Sequence, residues 1–212
     1  MNDVLRALDA LPRSTRRIEL RHLVNKYNTP SFTEFPRILF EFKDLEYLSI
    51  SNNEITVIPP EIGQFKKLQE LRMGFNEIYK LPPEIGQLTE LRVLSVLHNK
   101  ISELPDEICI LPNLCKLDCE FNKLTSLPKN IGNLANLKEL NAVANELTTL
   151  PDSICRLPEC KISVYLNKIK TLPMAFKPMT NIYYGHTPYE KPMFVDTMTM
   201  TEFLSALLEV LK

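Results

Sequence analysis

Apolar residues recur at fixed positions along the central part of the chain. One block of sequence that begins at Leu45 reads LEYLSISNNEITVIPPEIGQFKK. Matching blocks begin every 23 residues (68 minus 45), at Leu68, Leu91, Leu114 and Leu137. A sixth copy is one residue short, since Asn167 follows Asn145 by 22 residues (167 minus 145). Apolar residues at positions 4 and 6 of a block share one side of an extended chain, which predicts a short, half-buried strand in every copy.

Position 9 of every block is asparagine, in a column where an apolar residue would be easier to bury. The six residues are Asn53, Asn76, Asn99, Asn122, Asn145 and Asn167. A buried carboxamide needs hydrogen-bond partners, and the nearest are the backbone groups of the turn that leaves the strand. We therefore expect each side chain to bridge its own loop and the next coil, so that a stack of asparagines joins the coils.

Proline, isoleucine and small residues mark the other side of each block. Proline stands at position 15, and Pro36 extends that column upstream. Because proline fixes φ and favours the start of a helix but cannot join a strand ladder, we predict short helical turns there. Isoleucine at position 18 is expected to point inward. Position 19 holds only small side chains, which predicts close packing of the coils; the column is Gly63, Gly86, Cys109, Gly132 and Cys155.

The consensus LxxLxLxxNxLxxLPxxIxxL covers roughly residues 36–182 and resembles the intracellular leucine-rich repeats of the Ras-pathway scaffold type. Similar repeats occur in plant Ras-group-related proteins, the Ras suppressor protein, Erbin and Scribble. The resemblance implies an α/β fold: a curved leucine-rich-repeat solenoid with a parallel β-sheet on the concave side and short helices or turns on the convex side. It also implies protein binding on the concave face rather than catalysis.

The two ends of the chain depart from the repeat. A solenoid must cover its terminal coils. We predict that residues 1–44 form an N-terminal cap and a degenerate first repeat, that residues 45–182 form six repeats, and that residues 183–212 form a C-terminal cap. The last segment combines a loop with an amphipathic helix, which begins at a capping-box sequence, TMTE, at residues 199–202. This helix either covers the last coil or is offered to a partner helix or a second copy.

Positions 3, 5, 7 and 8 are predicted to form the concave surface, because positions 1, 4, 6, 9 and 11 point inward. Neighbouring parallel strands lie about 4.8 Å apart, so equivalent side chains form one stripe. Apolar residues at positions 7 and 8 predict an exposed band of Phe75, Leu97, Phe121, Val143, Tyr165 and Leu166. Such a band is typical of a protein interface, and the alternative is that its phenylalanines are auxiliary core.

The candidate partner-binding residues combine this band with its polar surroundings. They are Tyr47, Arg72, Phe75, Leu97, His98, Asp118, Glu120, Phe121, Val143, Tyr165 and Leu166. At position 3, Lys116, Glu139 and Lys161 alternate in charge and are expected to pair laterally. The N-terminal cluster of Arg13, Arg16, Arg17 and Arg21 is either ordinary solvated surface or a contact for an anion or phosphoprotein.

Catalytic and metal sites are not indicated. Ser95, His98 and Asp118 face the predicted concave side, but His98 lies three residues further along the strand, about 10 Å away at strand rise. The chain lacks a phosphate-binding glycine loop, and its five cysteines lack zinc-site or disulfide-frame spacing. We therefore expect no enzyme activity, no metal and no cofactor.

Overall charge and composition narrow the class of partner. The chain has 25 basic and 26 acidic residues and a net charge of -1. It therefore has no overall positive electrostatic field that would attract nucleic acid. The N-terminal sequence does not resemble a secretory signal, and no apolar run is long enough to insert into a membrane. These features, with the absence of cysteine from residues 1–108, predict a cytoplasmic protein.

Together these patterns predict a non-catalytic protein–protein interaction module or adaptor, a monomer that binds a signalling protein through its concave face. A small GTPase, a kinase or a phosphatase is the expected kind of partner. Two alternatives stay open. One is a self-associating structural protein that dimerises through the C-terminal helix or the concave face. The other is a bacterial effector that acts on host proteins by binding them.

Overall fold

The computed structural model describes residues 2–20, 31–157, 159–170 and 173, and the backbone of Ile182–Tyr183. One helix, α1, spans Asn2–Asp9. The strands are β1 (Arg17–Glu19), β2 (Tyr47–Ser49), β3 (Glu70–Arg72), β4 (Val93–Ser95), β5 (Lys116–Asp118), β6 (Glu139–Asn141), β7 (Lys161–Ser163) and β8 (Ile182–Tyr183). The 3₁₀ helices are η1 (Arg37–Glu41), η2 (Pro60–Gln64), η3 (Pro83–Gln87), η4 (Asp106–Ile110), η5 (Ile131–Asn133) and η6 (Asp152–Arg156).

The described strands form one parallel sheet in chain order, β1 to β8. Each strand pairs with the next in the register of the repeat, so that Leu48 lies beside Leu71 and Leu71 beside Leu94. These position-4 side chains are fully buried. The predicted α/β leucine-rich-repeat solenoid, with strands on one side and short helices on the other, is confirmed.

The 3₁₀ helices stack along the opposite side of the core. Pro59, Pro82 and Pro105 stand immediately before η2, η3 and η4 in extended conformation, as their fixed φ favours. The position-18 isoleucines are fully buried: Ile62, Ile85, Ile108, Ile131 and Ile154. Each of them accepts a backbone hydrogen bond that ends its helix. The core is therefore a continuous layer between the sheet and the 3₁₀ helices.

The N-terminal part of the chain adds a longer first coil. β1 pairs with β2 through Ile18 and Leu48, which are 30 residues apart (48 minus 18) rather than 23. Leu8 of α1 is buried in the same core. Residues 21–30 and, apart from the backbone of Tyr183, the predicted cap and amphipathic helix of residues 183–212 lie outside the described residues.

The asparagine column joins neighbouring coils. The Asn76 Nδ2 donates to the backbone oxygen of Met73 in its own coil (3.1 Å) and to that of Ile50 in the preceding coil (3.0 Å). Its Oδ1 accepts from the backbone N–H of Ile55, also in the preceding coil (3.0 Å). The same pattern recurs at Asn53, Asn99, Asn122, Asn145 and Asn167.

The expectation that each asparagine bridges to the next coil was wrong in direction. The N–H of Ile50 donates to the oxygen of Arg72 in the following coil. Because the N–H and C=O of one strand residue point to the same side, the Ile50 carbonyl also faces that following coil. The asparagine that meets this carbonyl therefore belongs to the coil after it, and each carboxamide reaches back.

Asn99→Leu and Asn122→Leu are expected to lower the free energy of unfolding by about 1 to 3 kcal/mol each, because a buried backbone N–H loses its acceptor. In Asn99→Leu that group is the N–H of Ile78. Denaturant unfolding measures the loss. Asn130→Leu, at an exposed asparagine, is the control and should change stability by less than about 0.5 kcal/mol. Wild-type stability in both buried-site variants would contradict this role.

The small residues of position 19 allow adjacent coils to approach closely. A Cβ built on Gly132 would lie 1.8 Å from the backbone oxygen of Ser153, whereas one on Gly63 would lie 2.9 Å from the flexible side chain of Gln87 and 3.0 Å from the backbone oxygen of Glu84, a far smaller overlap. A rigid backbone contact cannot give way as the end of a side chain can.

Gly132→Ala is therefore expected to destabilise the fold by at least about 2 kcal/mol, and Gly63→Ala by clearly less. Thermal and denaturant unfolding of the two single variants would measure the difference. Equal losses of stability would show that backbone approach at Gly132 is not what restricts this column.

Candidate protein-binding face

Position 8 has a backbone conformation that the sequence pattern did not reveal. All six position-8 residues have positive φ values between 50° and 60°: Asn52, Phe75, His98, Phe121, Ala144 and Leu166. Asparagine and histidine enter this left-handed region more readily than other non-glycine residues, but phenylalanine and leucine rarely do. Their residue types therefore gave no signal of it.

Backbone hydrogen bonds between coils hold this conformation. The N–H of Phe75 donates to the oxygen of Leu97 (2.9 Å), and that of His98 donates to the oxygen of Glu120 (2.8 Å). The N–H of Phe121 continues the series to Val143 (2.9 Å). Every position-8 side chain is consequently presented in the same way, at the C-terminal edge of the sheet.

Three of these side chains form a stack of rings. The ring centroids of Phe75 and His98 are 4.5 Å apart, and those of His98 and Phe121 are 4.2 Å apart, with interplanar angles of 12° and 15°. Phe75 is 47% exposed and Phe121 is 43% exposed, so the stack lies at the surface rather than in the core. We call Phe75, His98 and Phe121 the ring stack. Leu166, two coils beyond Phe121, is 44% exposed.

The rest of the predicted apolar band is less accessible. Val143 is buried, with 2% exposure, so its inclusion in the exposed band was wrong. Position 7 precedes the left-handed residue, and its side chain can turn inward against neighbouring coils. Leu97 is half-buried and lies over Gly74, where an added Cβ would be 3.0 Å from its Cγ; Tyr165 is also half-buried.

The first strands of the sheet carry basic and aromatic groups. The guanidinium of Arg17 lies over the ring of Tyr47, 3.5 Å from the centroid, which leaves the ring half-buried. The next strand carries an ion pair between Arg72 and Glu70. Three members of the predicted arginine cluster have acidic partners. Arg13 pairs with Asp9 and Glu41, Arg16 with Glu46, and Arg17 with Glu19.

Carboxylates dominate the sheet surface at β5 and β6. The Lys116 Nζ pairs with Glu139 at 3.0 Å, which confirms the first of the lateral ion pairs expected among Lys116, Glu139 and Lys161. The Glu120 Oε2 accepts a hydrogen bond from the Asn141 Nδ2 at 2.9 Å. Burial raises the pKa of the Asp118 carboxyl, and the nearby carboxylates of Glu120 and Glu139 raise it further. This part of the surface is therefore negatively charged.

We call the exposed surface at positions 3, 5, 7 and 8 the outer sheet face. It brings Tyr47, Arg72, Asp118 and Glu120 onto the sheet and the ring stack to its C-terminal edge. Position 10, beyond that edge, carries ion pairs between Lys100 and Glu77 and between Lys168 and Glu146. Sequence reasoning did not single out this row, although every position-10 residue is charged: Glu54, Glu77, Lys100, Lys123, Glu146 and Lys168.

Comparison with known families identifies the repeat. A family model described as a leucine-rich repeat region matches residues 71–149, and one described as two leucine-rich repeats matches residues 43–83. The chain is a leucine-rich-repeat protein. No curated protein matches it significantly.

Solved structures share the fold of this leucine-rich-repeat protein. A Leptospira interrogans leucine-rich-repeat protein is 30% identical, with a TM-score of 0.52 over 73% of this chain and 51% of its own. The ectodomain of the Arabidopsis thaliana receptor kinase GASSHO1/SCHENGEN3, in complex with CASPARIAN STRIP INTEGRITY FACTOR 2, is 25% identical, with a TM-score of 0.63 over 70% of this chain and 19% of its own. A plant ice-binding protein is 25% identical, with a TM-score of 0.60 over 72% of this chain and 53% of its own. The match therefore spans about half or less of each of these proteins.

The described residues offer no catalytic arrangement. His98 is held between two phenylalanine rings and Ser95 is buried, which is unlike a nucleophile with its base. No cluster of three or more metal-binding side chains occurs in the described part of the chain. Nor does any described helix have the length and apolarity needed to cross a membrane.

The three buried cysteines, Cys109, Cys119 and Cys160, are thiols with little nucleophilic character. None of the five, all within the described ranges, forms a disulfide. Burial raises the pKa of Cys109 and of Cys160 to about 11, and it also raises the pKa of the fully buried Cys119.

At pH 8 about one in a thousand thiols with a pKa of 11 is ionised, so native Cys109, Cys119 and Cys160 should resist iodoacetamide. Mass spectrometry of tryptic peptides would measure alkylation. The same protein unfolded in guanidinium chloride is the control and should be modified at all three positions. Native modification at the unfolded rate would contradict the burial of these thiols.

Proposed function

We propose that this leucine-rich-repeat protein is a non-catalytic adaptor that binds a signalling protein through its outer sheet face. Leucine-rich-repeat domains are protein-interaction modules in general, and two similar solved structures are complexes, a receptor kinase ectodomain with CASPARIAN STRIP INTEGRITY FACTOR 2 and plant peptide hormone receptor RGFR1 with RGF2. The resemblance of the repeat to Ras-pathway scaffolds favours a small GTPase, a kinase or a phosphatase as the partner.

The exposed ring stack is the single observation that carries this proposal. Two phenylalanines and a histidine stack at the surface although each could be polar without cost to the core. Exposed aromatic groups reduce solubility unless a partner covers them, and aromatic residues are enriched at the centres of interfaces. The carboxylates of β5 and β6 beside the stack supply the polar contacts that orient a partner.

A cytoplasmic location is part of the same proposal. The five cysteines are thiols rather than disulfides, and three of them are buried, as is typical of a protein kept in a reducing compartment. The net charge of -1 favours neither nucleic acid nor an anionic membrane as the ligand.

A triple variant with Phe75→Glu, Phe121→Glu and Tyr165→Glu tests the face. Affinity capture from the source cytosol should lose the partner of the wild type by at least tenfold, because three charges would be buried in the interface. Circular dichroism and thermal melting should match the wild type, since none of the three side chains belongs to the hydrophobic core.

The matched control places glutamate at three exposed apolar residues outside the outer sheet face, Val57, Tyr79 and Ile110. This control should capture the partner as the wild type does. If the same proteins bind the wild type and both variants equally, the outer sheet face is not the binding site.

A further inference from the structure

The ring stack stops at a small residue. Along position 8 the side chains run Phe75, His98, Phe121, Ala144 and Leu166, all with the same left-handed backbone. Both faces of the His98 ring are covered by the neighbouring phenylalanines. Phe121 has His98 on one face, and on its other face the next coil supplies the single methyl group of Ala144. The column therefore has a notch, defined by Phe121, Ala144 and Leu166.

The notch has room for one planar group. Successive coils in a parallel sheet are about 4.8 Å apart, so Phe121 and Leu166 are separated by roughly 10 Å along the column. A planar group that stacks on Phe121 as His98 does would occupy the level of Ala144 and would contact Leu166 on its other side. The exposure of Phe121 and Leu166, 43% and 44%, leaves both accessible to such a group.

The charge beside the notch selects the chemistry of its occupant. At positions 3, 5 and 7 of the coils that contain β5 and β6, the described side chains include three carboxylates (Asp118, Glu120 and Glu139) and one ammonium group, that of Lys116. Lys161 on β7 adds a second ammonium group beside Glu139, so the carboxylates remain in excess. Glu120 directly precedes Phe121, and its carboxylate is hydrogen-bonded to Asn141 on β6, the strand that leads to Ala144. An acceptor therefore lies on the side of Phe121 that the notch opens.

The opposite side of the notch has the reverse charge. There position 10 carries Lys123 and Lys168 with Glu146 between them, and Lys168 is paired with Glu146 at 2.9 Å. A cation in the notch would therefore direct its donors toward β5 and β6 rather than toward position 10.

We propose that the notch binds an arginine side chain of the protein partner, with its guanidinium stacked on Phe121 above Ala144 and hydrogen-bonded to Glu120. A guanidinium is planar, stacks on aromatic rings and donates to carboxylates in a fixed fork, whereas an ammonium group cannot stack and a neutral ring leaves the carboxylates without a cation. This inference rests on the proposed function, because it assigns the chemistry of the partner at the same face.

Selection from a display library of random linear peptides tests the proposal even while the natural partner is unidentified. Peptides enriched on the wild-type protein should share an arginine. Fluorescence anisotropy should show at least tenfold weaker binding to Ala144→Phe, which fills the notch, and to Glu120→Gln, which removes its charge. Ala144→Gly leaves the notch open and should bind as the wild type does. Phe75 and Phe121 have φ values of 55° and 50°, close to the 52° of Ala144, so phenylalanine fits this backbone.

Changes in the selected peptide separate planarity from charge. Replacing its arginine with citrulline keeps the plane and removes the charge, and replacing it with lysine keeps the charge and removes the plane. Each replacement should weaken binding at least tenfold. Equal binding by the citrulline peptide would overturn the role of the carboxylates, and equal binding by the lysine peptide would overturn the stacking.

Other outcomes distinguish the failure of this inference from that of the proposed function. Peptides that bind Ala144→Phe as tightly as the wild type, but are lost from Phe75→Glu, would place binding on the ring stack and outside the notch. A selection that enriches no peptide dependent on either site would contradict both proposals. Light scattering that shows a dimer dissociated by Ala144→Phe would put a second copy in the notch instead.

Discussion

The buried asparagine side chains of position 9 are the interaction on which the regular structure depends. A buried carboxamide is costly unless its donors and acceptor are satisfied, and each of these groups meets that requirement with backbone atoms of two successive coils. The side chain therefore closes its own loop and fastens it to the coil before it. Repetition of this link at every coil holds the loops in one register, while the leucine and isoleucine columns supply the apolar burial.

The outer sheet face follows from that register. The residue before each asparagine has a left-handed backbone, and its N–H bonds to the next coil beyond the end of the strand. Side chains at position 8 are therefore held at one spacing and in one orientation, whatever their type. Phe75, His98 and Phe121 can stack only because this spacing approaches the thickness of an aromatic ring. Because Ala144 has the same backbone conformation as its neighbours, its small side chain leaves a notch between Phe121 and Leu166.

The fold could be predicted well from the sequence because the residues that determine it recur in every coil. Apolar strands, prolines before the 3₁₀ helices and the small residues of position 19 each appear in several copies, so a chance match in one copy does not mislead the prediction. The face was predicted less completely. Whether Val143 turns inward depends on the local path of the chain and not on its type. The left-handed position 8 gave no signal, because backbone strain there is imposed by hydrogen bonds between coils. The direction of the asparagine link required the pairing geometry of the sheet.

Native-state amide hydrogen exchange tests most directly whether the asparagine column holds the coils together. The backbone N–H groups of Ile78, Ile101 and Leu124 donate to Asn99, Asn122 and Asn145, respectively. If these links are the structural core of the repeat, the three amides should exchange only through global unfolding, with opening free energies equal to that of unfolding in denaturant. Exchange of these amides as fast as that of exposed loop amides, in a protein that remains folded, would contradict the account.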